Sequence, residues 1–231
     1  LTRKSRGDLD GAIAEFDRAI RINPKIPEVY VNRGNARRAK HELDKAIEDH
    51  TQAILIDPNH ASAYIGRGNA LDDKGDRDGA IREFDQAISI DSNLALAFGG
   101  RGHARLAKGD FVGAMKDYDQ ALQIDPAIAA VRLGRSVLRQ EAGDLDGAIT
   151  DLDRVLEADP SDPEVYITRG VAKAGKRDFE GAIADYDRAL VLKPTSARAL
   201  VNRGAARRAR GNLDDAIADY EQALQLAPAD W

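Results

Sequence analysis

Apolar and small residues recur along the chain at the spacing of one face of an α-helix. Between residues 77 and 90, for example, they fall at Ala80, Ile81, Phe84 and Ala87, with polar residues between them. This spacing is typical of a helix that buries one stripe and exposes the rest. The same pattern returns in every following segment, so the chain is predicted to be helical throughout.

Glycine and proline divide these helical segments at regular intervals. A Gly-Asp pair such as Gly75-Asp76 ends one helix with glycine and caps the next with aspartate. A proline then stops the second helix. These prolines are Pro24, Pro58, Pro126, Pro160, Pro194 and Pro228. Their positions fit a 34-residue period with no insertion or deletion, which predicts an array of helix pairs.

We number the positions of a repeat from 1, at Pro27, to 34, at His60. Complete repeats then start at residues 27, 61, 95, 129, 163 and 197. Residues 1–26 are the later part of a preceding repeat, and Trp231 stands at position 1 of a following one. The first helix of each repeat is expected at positions 1–14 and the second at about positions 17–30.

Three small or aromatic positions mark the repeat. Position 8 is glycine in five repeats and Ser136 in the other, and position 20 is always alanine, as at Ala46 and Ala80. Position 24 carries a ring in most repeats, as at Phe84. With the 34-residue period and the proline at position 32, this pattern resembles the tetratricopeptide repeat family along essentially the whole chain.

The resemblance implies an all-α fold, a right-handed α-α superhelix in which residues 1–231 form a single solenoid. In this family the first helices line a concave groove and the second helices lie outside. The implied function is a protein–protein interaction module or scaffold that binds a peptide or partner protein along that groove. Aromatic residues make up only 5% of the chain, which fits a fold that buries about one aromatic ring per repeat.

The net charge of −5 is the sum of a basic set of helices and an acidic remainder of the chain. The six first helices sum to about +15 and the rest of the chain to about −20. A basic groove favours an acidic peptide, a terminal carboxylate or a phosphorylated segment. RNA recognition usually needs exposed aromatic rings, and the rings here occupy core positions, so no nucleic-acid partner is expected.

Arginine and acidic residues also recur at fixed positions, which predicts a structural charge ladder. The arginines at position 7 are Arg33, Arg67, Arg101, Arg135, Arg169 and Arg203. The acids at position 23 of the same repeats are Asp49, Glu83, Asp117, Asp151, Asp185 and Asp219. One hypothesis is that each guanidinium binds an acid of its own or an adjacent repeat. The alternative is that the arginines face a ligand.

By the resemblance, ligand contacts come from positions 2, 5, 6, 9, 12 and 13 of the first helices, which we call the first-helix face. The candidate groove residues are Asn32, Asn35, Arg38, Asn69, Asp72, His103, Leu106, Arg198, Asn202 and Arg208. Asparagine amides both donate and accept, which suits an extended peptide backbone. The alternative is a merely solvated helix face. The lysine that one subfamily uses at position 5 to clamp a carboxylate is absent.

Three glycines, Gly99, Gly100 and Gly102, fall within one first helix. They are consistent with a hinge or an open groove floor, and equally with a weak helix supported by its neighbours.

The remaining chemistry points away from catalysis. The chain has no cysteine, its histidines have no metal-ligand spacing, and Gly-x-Gly at Gly100–Gly102 lies inside a helix. No enzyme activity, cofactor or metal is expected, and no apolar run is long enough to insert in a membrane. A bacterial cytoplasm or periplasm fits the composition. Two alternatives remain: self-association into a scaffold through uncapped terminal repeats, or the targeting arm of a larger enzyme.

Overall fold

The structure is a computed structural model that describes residues 8–226, and within them the chain forms thirteen α-helices and no strand. The helices are α1 (Leu9–Ile22), α2 (Pro27–Ala39), α3 (Leu43–Ile56), α4 (Ala61–Asp73), α5 (Arg77–Ile90), α6 (Ala95–Ala107), α7 (Phe111–Ile124), α8 (Ala129–Glu141), α9 (Leu145–Ala158), α10 (Pro163–Gly175), α11 (Phe179–Leu192), α12 (Ala197–Ala209) and α13 (Leu213–Leu226). The predictions for residues 1–7, Pro228 and Trp231 lie outside the described residues.

The helices form two compact units that divide between Ala127 and Ile128. In the first unit, α2 packs on α3, α4 on α5 and α6 on α7. In the second unit, α8 packs on α9, α10 on α11 and α12 on α13. Each pair is one repeat of the sequence, so the all-α fold built from consecutive helix pairs is confirmed.

The helix ends follow the capping residues of the sequence. Asp76 accepts a hydrogen bond from the backbone N–H of Gly79, and Asp110, Asp144 and Asp178 cap their helices in the same way. The first helices end at position 13, one residue earlier than predicted, because the chain turns through a left-handed residue. That residue is glycine at Gly75, with φ of 88°, but it is His41 and Arg177 in two repeats.

The ring at position 24 lies against glycine on first helices. A Cβ on Gly68 would meet Phe84 Cε1 at 3.0 Å, and one on Gly100 would meet Phe84 Cζ at 2.5 Å. A Cβ on Gly102 would lie 2.8 Å from Tyr118 Cδ1. Helix α6 is continuous through these residues, and Gly100 and Gly102 have a packing role that the sequence alone had not separated from a hinge.

Candidate functional site

The position-7 arginines bind acids on two successive second helices. Arg101 donates to Asp117 through Nε at 3.0 Å and Nη2 at 2.6 Å, and to Asp85 of the preceding repeat through Nη1 at 2.5 Å. The own-repeat contact recurs at Arg33–Asp49, Arg67–Glu83, Arg135–Asp151, Arg169–Asp185 and Arg203–Asp219. The contact with the preceding repeat recurs at Arg33–Asp17, Arg169–Asp153 and Arg203–Asp187. One guanidinium therefore links two repeats.

A second base at position 11 binds the same acid. Arg105 Nη1 lies 2.8 Å from Asp117 Oδ2. The equivalent contacts are Arg37–Asp49, Arg139–Asp151, Lys173–Asp185 and Arg207–Asp219. Much of the positive charge of the first helices is therefore neutralised by the second helices and is not free on the first-helix face.

Burial and ring contacts shape these ion pairs. Asp117 is 4% exposed and Arg101 15% exposed. Burial alone would lower the pKa of Arg101, but its hydrogen bonds to Asp117 and Asp85 outweigh burial and raise it. The Arg101 guanidinium also lies over the Phe98 ring at 5.3 Å, and Arg33, Arg67 and Arg169 stack on the tyrosine three residues before them. Such contacts favour the charged guanidinium.

The repeat at residues 61–94 departs from this arrangement. Arg67 Nη2 binds Glu83 at 2.8 Å, but its other partner is the neutral Thr51 hydroxyl at 3.2 Å. The second base is replaced by Leu71, which packs against the core formed by Phe84 and its neighbours. Within the described chain, Arg67 Nε is buried with no hydrogen-bond partner. This repeat is therefore held by fewer charged contacts than the others.

His50 takes the place of the ring in the same region. The side chain is fully buried, and neither ring nitrogen has a hydrogen-bond partner among residues 8–226. A Cβ on Gly34 would lie 2.8 Å from His50 Nε2, and one on Gly66 would lie 2.2 Å from Cε1. Burial, with the nearby charges of Arg38 and Arg67, lowers the pKa of His50 to about 4. The imidazole is therefore neutral at pH 7 and packs as an apolar ring.

On the first-helix face of the first unit, three asparagines are available to a ligand. Asn32 and Asn35 are exposed on α2, and Asn69 is half-buried on α4. No side-chain hydrogen bond is recorded for any of the three within the part of the chain that the structure describes. An amide side chain without an internal partner can donate two hydrogen bonds from its NH₂ group and accept two at its oxygen.

The ionisable candidates of this unit all have internal partners. Arg38 Nε lies 2.6 Å from Asp73 Oδ2, and Asp72 Oδ2 lies 2.9 Å from His103 Nδ1. The His103 side chain is nevertheless 68% exposed. Leu106 is half-buried on α6. This part of the face therefore offers amides and an imidazole edge with little uncompensated positive charge.

The candidates of the second unit lie on α12. Arg198 binds Glu164 on α10 at 2.7 Å, with both side chains about half exposed. Asn202 is half-buried and Arg208 is exposed. Two valines at position 9, Val137 and Val171, are exposed on the same face.

The sequence reading missed the acids at position 25, such as Asp17 and Asp85, which bind the arginine of the next repeat. The sequence does contain an indication of this role, because position 25 is acidic in every repeat except the one in which it is Thr51. It also missed Asp73 and Glu164, the partners of Arg38 and Arg198.

A search of residues 8–226 finds no group of three or more His, Asp or Glu side chains that could hold a metal ion. None of the helices in this range combines the length and apolar character needed to cross a membrane.

Family models match most of the chain. Models described as tetratricopeptide repeat match residues 27–60, 61–94, 105–170 and 197–230, and a model described as TPR repeat matches residues 2–40. No curated protein matches the sequence.

Solved structures share the fold. YrrB, described as a TPR protein with an unusual peptide-binding site, is 25% identical, with a TM-score of 0.62 over 80% of this chain and 95% of its own. PilF from Pseudomonas aeruginosa is 18% identical, with a TM-score of 0.78 over 88% of this chain and 93% of its own. A chain of the APC/C hetero-tetramer Cut9-Hcn1 is 15% identical, with a TM-score of 0.79. That match covers 97% of this chain but only 44% of the other.

Proposed function

This chain belongs to the tetratricopeptide repeat family, whose repeats are protein-interaction scaffolds, and we propose that it binds an extended peptide of a partner protein along its first-helix face. The observation that carries the proposal is the set of asparagines Asn32, Asn35 and Asn69, which have no recorded internal partner. Peptide backbones present both N–H and C=O groups, and an amide side chain can bind either. The description of YrrB as a peptide-binding TPR protein supports the same function.

The proposed partner is not selected by a strongly basic groove. The position-7 and position-11 bases are occupied by carboxylates, as at Arg101 and Arg105 with Asp117. An acidic preference, if the partner has one, is proposed to come from Arg208. The unbroken 34-residue spacing supports treating residues 1–231 as one functional array.

A random peptide library displayed on phage tests this function with the intact chain. Wild type is expected to enrich related peptides, and the triple variant N32A/N35A/N69A is expected to lose those that bind the first unit. The matched control is Q52A/Q86A, which removes two exposed amides from second helices and should retain them. Equal enrichment by wild type and the triple variant would contradict the assignment.

A further inference from the structure

Position 9 of the first-helix face differs chemically between the two units. In the second unit it carries Val137 and Val171, which are 42% and 40% exposed, followed by the exposed Ala205. In the first unit the same position carries polar residues. These are Asn35, Asn69 and His103. The change in residue type coincides with the division into compact units.

The exposed valines are not part of the core of their unit. Leu133 and Ile167, four residues before them, face the core: Ile167 is fully buried and Leu133 packs against the same cluster. The hydroxyl of Thr168, next to Ile167, donates to the Glu164 carbonyl at 2.8 Å. That hydroxyl is therefore satisfied within its own helix and needs no partner from a ligand.

Among residues 8–226, no carboxylate pairs with Arg208, which lies at one end of this surface. The other arginines of α12, and Arg210 just after it, all have carboxylate partners in this range: Arg198–Glu164, Arg203–Asp187, Arg203–Asp219, Arg207–Asp219 and Arg210–Glu180. Arg208 is exposed, and no partner for its side chain is recorded within residues 8–226. A carboxylate of a ligand would give Arg208 the kind of partner that the other arginines of α12 have.

Asn202 distinguishes an extended ligand from a helical one. It is half-buried on α12, with no side-chain hydrogen bond recorded in the described range. A ligand helix satisfies its own backbone internally and offers few groups to an amide, whereas an extended peptide leaves its N–H and C=O groups free. The pairing of Asn202 with an apolar strip therefore favours an extended peptide.

The distance between neighbouring first helices determines which residues of an extended peptide can contact them. Helices α10 and α12 are in contact, and helices in contact lie about 8–10 Å apart. A polyproline II segment advances about 9 Å every three residues and returns its side chains to the same side. A side chain that meets α10 would therefore be followed, three residues later, by one that meets α12.

We infer that the second unit binds an extended peptide in which apolar side chains contact Val137 and Val171 and an acidic residue three residues beyond the one at Val171 binds Arg208. This inference rests on the proposed function and names its ligand class. The apolar contacts supply affinity and the carboxylate fixes direction along the face.

The test uses the intact chain and a random decapeptide library displayed on phage, followed by fluorescence anisotropy with the enriched peptide. The variant V137N/V171N removes the apolar strip at helix positions where valine and asparagine have similar propensity. Its control, V191N, changes a valine on the second helix α11 that is more exposed, at 69%. R208Q is compared with R188Q, which removes an exposed arginine from α11.

We expect peptides with apolar residues and, three residues beyond the last of them, an acid. V137N/V171N should weaken their binding about tenfold or more, and R208Q about threefold or more, with loss of the acidic preference. Both controls should bind as wild type. Peptides that wild type enriches without this pattern, or that bind V137N/V171N equally well, would overturn the inference and leave the proposed function intact.

Two further outcomes would also overturn it. If wild type enriches no peptide at all, the proposed function itself fails. If light scattering shows that V137N/V171N dissociates an oligomer of wild type, the valines are a contact between copies of this chain and not a peptide site.

Discussion

Arg101 binds Asp117 through two nitrogens, with Nη2 2.6 Å from Oδ1 and Nε 3.0 Å from Oδ2. The remaining nitrogen reaches Asp85 in the preceding repeat, so a single guanidinium joins the second helices of two repeats. In a repeat protein, stability depends on contacts between neighbours. A charged contact that recurs at the joints of Arg33, Arg101, Arg169 and Arg203 therefore specifies the 34-residue register as well as strengthening it.

Replacing Arg101 with methionine is expected to destabilise the first unit by about 2–3 kcal/mol. Asp117 would stay buried with only Arg105 as a cationic partner, and a buried carboxylate that loses a partner is costly. The urea midpoint and hydrogen exchange of α6 and α7 measure the effect. The control K108M removes an exposed lysine that binds Asp78 and should change stability much less. Equal effects of the two variants would favour the view that the arginines serve a ligand.

The weakest of these joints can be strengthened. Thr51→Asp places a carboxylate where Arg67 has only a hydroxyl at 3.2 Å, as Asp85 does for Arg101. We expect a gain of about 0.5–1 kcal/mol in the free energy of unfolding, because the site is half-buried. Thr51→Asn, which adds the shape without the charge, should not stabilise the protein. A loss of stability in Thr51→Asp would show that Arg67 does not need a second acid.

His50 makes stability depend on pH. Burial lowers its pKa to about 4, below the ordinary value near 6.5. The unfolded chain therefore binds a proton that the folded chain rejects, and stability falls as the pH decreases from about 6.5 to 4. The loss approaches about 3 kcal/mol if the shift is fully expressed. Urea unfolding at a series of pH values measures it.

His50→Phe is the matching variant, because Phe84 occupies the equivalent site between Gly68 and Gly100. The difference in unfolding free energy between the variant and wild type should grow as the pH falls from 6.5 to 4. A difference that is constant over this interval would contradict the assignment of the pH dependence to His50.

Gly100→Ala distinguishes ring packing from a hinge. The added Cβ would lie 2.5 Å from Phe84 Cζ, so we expect a loss of about 1–3 kcal/mol despite the better helix propensity of alanine. Adding Phe84→Leu should recover part of the loss relative to Phe84→Leu alone, by making room. Hydrogen exchange that slows throughout α6 in Gly100→Ala, with no loss of stability, would support a hinge.

The sequence predicted the helices well because their limits depend on local signals. The second helix at residues 77–90 begins after the capping Asp76 and ends where predicted. The first helices end one residue early, since the left-handed residue that closes them also occurs without glycine, at His41 and Arg177. Arginine does not indicate a positive φ, and histidine indicates it only weakly.

The candidate site was less predictable, because the summed formal charge of a helix does not show which of its side chains form ion pairs. Arg37 and Arg105 contribute to the basic total of the first helices, yet both bind acids at position 23. The pairing of Asp72 with His103 joins two candidates from different helices, a relationship set by the stacking of repeats and not by spacing along one helix.

The central claim is that the first-helix face holds a peptide through its amides. Side-chain amide signals of ¹⁵N-labelled protein test it most directly, with a peptide enriched from the library as the probe. Addition of a peptide that binds the first unit should shift the signals of Asn32, Asn35 and Asn69 and leave those of Gln52 and Gln86 on the second helices unchanged. Shifts confined to the glutamines, with the three asparagine signals unmoved, would show that the first-helix face of this unit does not hold the peptide.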